Sequence, residues 1–112
     1  MSHGFLPLLW WFIVGHALAD FVLQSGAMAR GKSRSYQGEP GEPPWYYWLT
    51  SHALMHGGVV AIIAGSAGFG LAEFIAHWLI DFGKCEKLYG FNTDQLLHLI
   101  CKLIWISFIA GI

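Results

Sequence analysis

Charged side chains are scarce in this sequence. Asp, Glu, Lys and Arg make up 12% of its 112 residues, about half the share found in an ordinary soluble domain. A chain this short leaves much of its surface in contact with solvent. Six basic and seven acidic side chains cannot clothe a fold in which 55% of residues are apolar and 16% aromatic, which argues against a water-soluble monomer. Cysteine is almost missing. Cys85 and Cys101 form no disulfide framework and no C-x-x-C metal or redox motif, and they read as filler. A basic surplus is missing too. The net charge of −1 offers no surface for nucleic acid. The high apolar content excludes disorder, and 14 glycines without a fixed period exclude a collagen-like repeat. The solvent that suits this composition is a lipid bilayer.

Four apolar segments stand out, about Phe5–Gln24, Tyr46–Gly65, Phe69–Tyr89 and Thr93–Ile112. Each approaches the roughly 20 residues that cross a hydrocarbon core of about 30 Å. The expected fold is therefore all-α: one integral membrane domain over residues 1–112, built as a bundle of four transmembrane helices. Residues 25–45 read as an aqueous loop, with Arg30, Lys32 and Arg34 ahead of a Gly/Pro/Glu run that cannot continue a helix. Ser66–Gly70 is a short uncharged connection, and Gly90–Asn92 a tight turn. Asn92 with Gln95 resembles a capping box. Ala17-Leu18-Ala19 looks like a signal-peptidase site, but no Lys or Arg precedes the apolar run and Trp10-Trp11 are bulky for a signal sequence, so an uncleaved first span is expected.

Orientation follows from the basic residues. Arg30, Lys32, Arg34, Lys84 and Lys87 all fall on one side of a four-span chain. The positive-inside rule makes that side cytoplasmic and both termini periplasmic, as in a multi-pass protein of the bacterial inner membrane. Trp45, Tyr46, Tyr47 and Trp48 would join the aromatic belt on the cytoplasmic side, and Trp10 and Trp11 the opposite one.

The few ionisable residues inside the spans follow helical spacing. They are His16 and Asp20 (with Gln24), His52 and His56, Glu73, His77 and Asp81 (with Lys84), and Asp94, His98 and Lys102. Each set repeats at four-residue steps and so lies along one helix face. Only His3 stands apart, as a terminal residue. At about 1.5 Å per residue ten of these side chains fall about 2 to 16 Å from the cytoplasmic ends of their helices, with Lys84 at the boundary itself. They share one layer, which predicts a buried polar His/Asp/Glu site in the cytoplasmic half of the bundle. Ionisable groups at such depth are functional candidates by default.

Neutral imidazoles and carboxylates on facing helices are ligands for Zn²⁺, Mn²⁺ or Fe. His52-x3-His56 has the spacing of helical zinc sites. With His16, His77, His98 and Asp81 it supplies ligands for one or two divalent metal centres. Asp20 and Glu73 are then candidate general bases, and Lys84 a cation that stabilises developing negative charge, with Lys102 an alternative. The substrate would be a phosphate or acyl ester near a lipid headgroup, and the partners membrane lipid and a second copy of the chain. The plainer reading makes the same stripes polar glue that fixes helix register. A non-enzymatic module, such as a proton or ion pathway or a phage-encoded interaction or lysis protein, is the alternative function.

The ordered motifs His16-Ala-Leu-Ala-Asp20-Phe-Val-Leu-Gln24, His52-Ala-Leu-Met-His56-Gly57, His77-Trp-Leu-Ile-Asp81-Phe-Gly-Lys84 and Asp94-Gln95-Leu-Leu-His98 resemble the DUF3307 family. Its members are small membrane proteins of bacteria and phages without an assigned activity. The resemblance covers nearly the whole chain and implies a membrane fold rather than a reaction. A looser similarity runs to membrane-bound proteins regarded as metal-dependent hydrolases, which also carry His and Asp within their spans. The Gly38–Pro44 loop departs from that pattern.

Overall fold

A computed structural model describes residues 4–111. His3 and Ile112, the last residue of the fourth expected span, lie outside them. All regular structure among the described residues is helical. Helix α1, Phe5–Ala17, runs on into a π-helical turn, Leu18–Val22; α2 covers Gly26–Gly31, α3 Trp45–Ala64, α4 Ala67–Cys85 and α5 Phe91–Ala110. Pro7 fits in the first turn of α1, where a helix leaves backbone N–H groups unused. The π-helical turn is closed by the Leu23 N–H donating to the Leu18 carbonyl at 2.8 Å. The Gln24 side-chain amide donates to the Asp20 carbonyl at 3.0 Å.

Two helical stretches, Phe5–Val22 and Phe91–Ala110, are long and apolar enough to cross a membrane, where four were expected. Helices α3 and α4, of 20 and 19 residues, have the length. Their apolar content is diluted by Thr50, Ser51, His52 and His56 in one and by Glu73, His77, Asp81 and Lys84 in the other.

The connections differ from expectation in instructive ways. Residues 25–45 are not all loop. Ser25 caps α2 by accepting from the Met28 N–H at 3.0 Å, and Gly31 lies so close to Trp48 that a Cβ there would come within 2.4 Å of the indole. The α3–α4 connection shrinks to Gly65, at φ 66°, and Ser66, whose hydroxyl accepts from Phe69 N–H at 3.3 Å. Between α4 and α5 the left-handed residue is Lys87, at φ 62°. No capping box forms at α5: Gly90 is its N-cap, without a side-chain cap, so Asn92 lies within the first turn of the helix instead of capping it.

Helices α3 and α4 form the tightest pair. A Cβ on Gly57 would stand 2.8 Å from the Gly70 carbonyl oxygen, whereas one on Gly58 would meet nothing within 4 Å. Small residues at such a crossing let two backbones approach closely. One end of the bundle has an ordinary apolar core of Leu8, Phe12, Val60, Ile63 and Ile106. The other end is polar inside. Among the described residues, eight hydrophobic side chains are buried and ten polar or charged ones are. Large apolar side chains point outward instead, among them Leu6, Trp10, Leu54, Ile62, Leu71, Ile75, Leu79 and Phe108. That inversion is the reverse of what water selects.

Candidate metal centre

The polar end is organised around two carboxylates. Asp20 sits on the π-helical turn, a local geometry that recurs at functional sites. Its Oδ1 lies 3.1 Å from His52 Nε2, 3.3 Å from His56 Nε2 and 4.0 Å from His77 Nε2. Its Oδ2 accepts from the Gln95 amide at 2.8 Å. Asp81, on α4, points Oδ2 at Lys32 Nζ (2.9 Å), His52 Nε2 (3.3 Å) and His77 Nε2 (3.5 Å), and Oδ1 at His98 Nε2 (2.9 Å). Rings of His56 and His77 stack at 3.6 Å, and those of His77 and His98 at 4.0 Å.

His77 shows how the cluster is tuned. Its Nδ1 donates to Glu73 Oε2 at 2.9 Å, one turn earlier on α4. Glu73 is itself held by Lys102 Nζ at 3.2 Å and by the Trp105 indole N–H at 2.9 Å. A proton fixed on Nδ1 leaves the Nε2 lone pair free, which is how outer carboxylates prepare metal-binding imidazoles. His77 Nε2 is buried and has no hydrogen-bond partner, and the same holds for His56 Nε2.

Three sets of side chains bring donor atoms within 4.8 Å of one another: Asp20, His52, His56 and His77; Glu73, His77 and His98; and Asp81, Asp94 and His98. All of these residues are buried. Three imidazoles and one carboxylate make a four-donor set whose ligand types suit Zn²⁺, Mn²⁺ or Fe.

Net charge points the same way. Among the described residues, Asp20, Glu73, Asp81 and Asp94 are buried against two buried lysines, Lys32 and Lys102. With neutral imidazoles the cluster is two positive charges short. An uncompensated charge in a low-dielectric interior costs several kcal/mol.

Not every expected residue joins. Lys84 stays outside, its Nζ 5.7 Å above the Phe91 ring. His16 lies at the edge, donating from Nε2 to Gln95 Oε1 at 2.9 Å, and it belongs to none of the three close sets. Conversely, Lys32, expected as a loop charge, is buried on Asp81. Being outside any long helix, it has no periodicity to betray it. Gln95 and Trp105 did leave a trace, since both share a helical face with His98 or Lys102. Outside the bundle, Arg34 forks onto Glu86 at 2.9 and 2.6 Å. Those hydrogen bonds hold the Glu86 carboxyl below its usual range and raise the Arg34 guanidinium.

A family model described as a protein of unknown function, DUF3307, matches residues 8–111. The chain belongs to the DUF3307 family. No curated protein sequence and no solved structure matches it significantly. The DUF3307 match spans every residue of the cluster, from His16 to Trp105, so the whole site lies inside the family domain.

Proposed function

We propose that this DUF3307 chain is a multi-pass protein of the cytoplasmic membrane that binds a divalent metal ion through Asp20, His52, His56 and His77. It uses that ion to hydrolyse a phosphate or acyl ester at the membrane–cytoplasm boundary. The observation that carries this reading is the convergence of three imidazole Nε2 atoms on Asp20 Oδ1, two of them buried without a hydrogen-bond partner. One divalent ion also supplies the two missing positive charges. When bound, such an ion lowers the pKa of water and polarises an ester oxygen. Glu73 holds the His77 tautomer, Asp81 lies beside His52 at 3.3 Å while accepting from Lys32, and Lys32 takes the cationic role that the sequence reading gives to Lys84.

Support for four spans comes from the outward faces of α3 (Leu54, Met55, Ile62) and α4 (Leu71, Ile75, Leu79), which are as apolar as those of α1 and α5. In lipid such faces need no cover, and the polar face must turn inward. Arg30, Arg34, Lys84 and Lys87 follow the cluster end, in keeping with a cytoplasmic orientation.

A proton pathway is the second reading, favoured by the run of stacked rings from His56 to His98. Two protonated imidazoles would then supply the missing charge. Elemental analysis of detergent-purified wild type beside a His52→Ala/His56→Ala variant separates the two. Metal hydrolysis requires at least one equivalent of transition metal in the wild type, lost in the variant. A metal-free wild type whose unfolding temperature ignores chelator would overturn it.

A further inference from the structure

The side chains around Asp81 are arranged for a second ion. We infer that the cluster is binuclear, with Asp81 bridging the ion held by Asp20, His52, His56 and His77 to another held by Asp94 and His98. The inference rests on the metal-binding reading above and adds a second subsite to it.

Three observations carry it. First, the two oxygens of Asp81 divide their neighbours. Oδ2 faces His52 and His77 at 3.3 and 3.5 Å, and Oδ1 faces His98 at 2.9 Å. Second, Asp94 Oδ1 is buried without a hydrogen-bond partner although it lies 3.3 Å from His98 Nε2. The Asp94 side chain is 4% exposed. A carboxylate oxygen so placed is an acceptor waiting for a cation. Third, Gln95 orients both terminal carboxylates. Its amide donates to Asp20 Oδ2 at 2.8 Å and to Asp94 Oδ2 at 3.1 Å, so each Asp is left with Oδ1 turned toward histidine.

The competing set of Glu73, His77 and His98 is less suited to hold the ion. Both Glu73 oxygens are already taken, Oε1 by Trp105 and Oε2 by Lys102 and His77. Lys32 does not block the bridge, because a ligating carboxylate keeps a lone pair for an outer hydrogen-bond donor. At His98 the ion replaces the Nε2 proton, and the imidazole shifts to its Nδ1–H tautomer. Charge sets the order of filling. The first ion enters a cluster two positive charges short, whereas the second enters one already neutral and binds more weakly.

The test is a Mn²⁺ titration of the metal-free, detergent-solubilised full chain, followed by calorimetry and electron paramagnetic resonance. Two equivalents are expected, the second at least about tenfold weaker by the loss of charge attraction. The six-line signal of isolated Mn²⁺ should give way to an exchange-coupled spectrum as the second equivalent binds. Asp94→Asn should keep one uncoupled ion and unchanged helicity. Saturation at one ion overturns the binuclear inference alone, and two uncoupled ions overturn the bridge. Two coupled ions in Asp94→Asn would remove Asp94 from the site. No bound ion at all sinks the metal reading itself. Because the wild-type titration decides the stoichiometry, the inference stays testable even if Asp94→Asn misfolds.

Discussion

Gln95 on α5 donates its side-chain amide across the bundle to Asp20 on the π-helical turn of α1, at 2.8 Å. The bond joins the first and last long helices through a buried charge. Gln95→Leu removes the donor and leaves Asp20 short of one charge-assisted hydrogen bond, a loss of about 1.5–3 kcal/mol. Metal affinity should also fall about 10- to 100-fold, as when other groups that orient a ligand are removed. Thermal unfolding and metal titration of the same preparation check both effects. Unchanged values would show that the contact is incidental.

Glu73 and Lys102 form a buried ion pair, with side chains 1% and 4% exposed. Glu73→Gln strands the Lys102 ammonium and should cost about 3–5 kcal/mol. Adding Lys102→Met should recover part of that loss, since an apolar side chain needs no counter-charge. Denaturant titrations in detergent would measure the three variants. A double variant no more stable than Glu73→Gln would argue against the pairing.

Two adjacent glycines should respond oppositely to the same change. Gly57→Ala drives a Cβ against the Gly70 backbone oxygen, with an overpacking cost of about 1–3 kcal/mol. Gly58→Ala meets open space and should be neutral or stabilising by up to about 1 kcal/mol. Melting temperatures of the two variants are the measurement, and equal effects would mean that α3 and α4 do not pack as described.

The Arg34–Glu86 pair gives the loop after α2 a pH dependence. Because the carboxyl of Glu86 is held below its usual range, its contribution is present above the ordinary carboxylate pKa. It is lost as pH falls through the folded value. Added salt should weaken it as well, the guanidinium being exposed. The protection of the Tyr36 amide, which donates to the Ser33 carbonyl, measured against the intrinsic exchange rate at each pH, should fall in acid and in Arg34→Ala. Protection insensitive to both would remove the pair as a tether.

Membrane topology is open to labelling. In a four-span chain Gly41→Cys and Gly65→Cys lie on opposite faces of the membrane, with position 41 cytoplasmic. An impermeant maleimide applied to intact cells, with Cys85 and Cys101 replaced by Ser, should modify position 65 alone. Labelling of both, or of position 41 alone, would defeat the proposed arrangement.

How far the sequence foretold this depends on the residue. Four-residue steps put His52, His56, Glu73, His77, Asp81, Asp94, His98 and Lys102 on inward faces, and all eight are buried. Periodicity works there because one polar stripe on an apolar helix has only one direction to turn. It says nothing about pairing across the bundle, so His16 could not be told from a ligand, nor Gln95 from a cap. Lys32 was beyond reach, since its place depends on how α2 folds back over α3. The π-helical turn was equally hidden, because no residue in Leu18–Val22 advertises it. Reading membrane spans from composition met a further limit. The residues that build the cluster are those that lower the apparent apolarity of α3 and α4.

That π-helical turn has a consequence for how α1 serves two masters. Upstream of it, Leu8 and Phe12 are keyed into the apolar core; on the turn itself, Asp20 is keyed into the cluster. A π turn accommodates one residue more than the α turn it replaces, so it works as a phase adjuster between two interlocking halves. Rewinding Leu18–Val22 as α-helix with no residue removed would leave that extra residue unabsorbed and change the phase by about 100°. The helix could then keep either its grip on the core or its hold on the histidines, and not both.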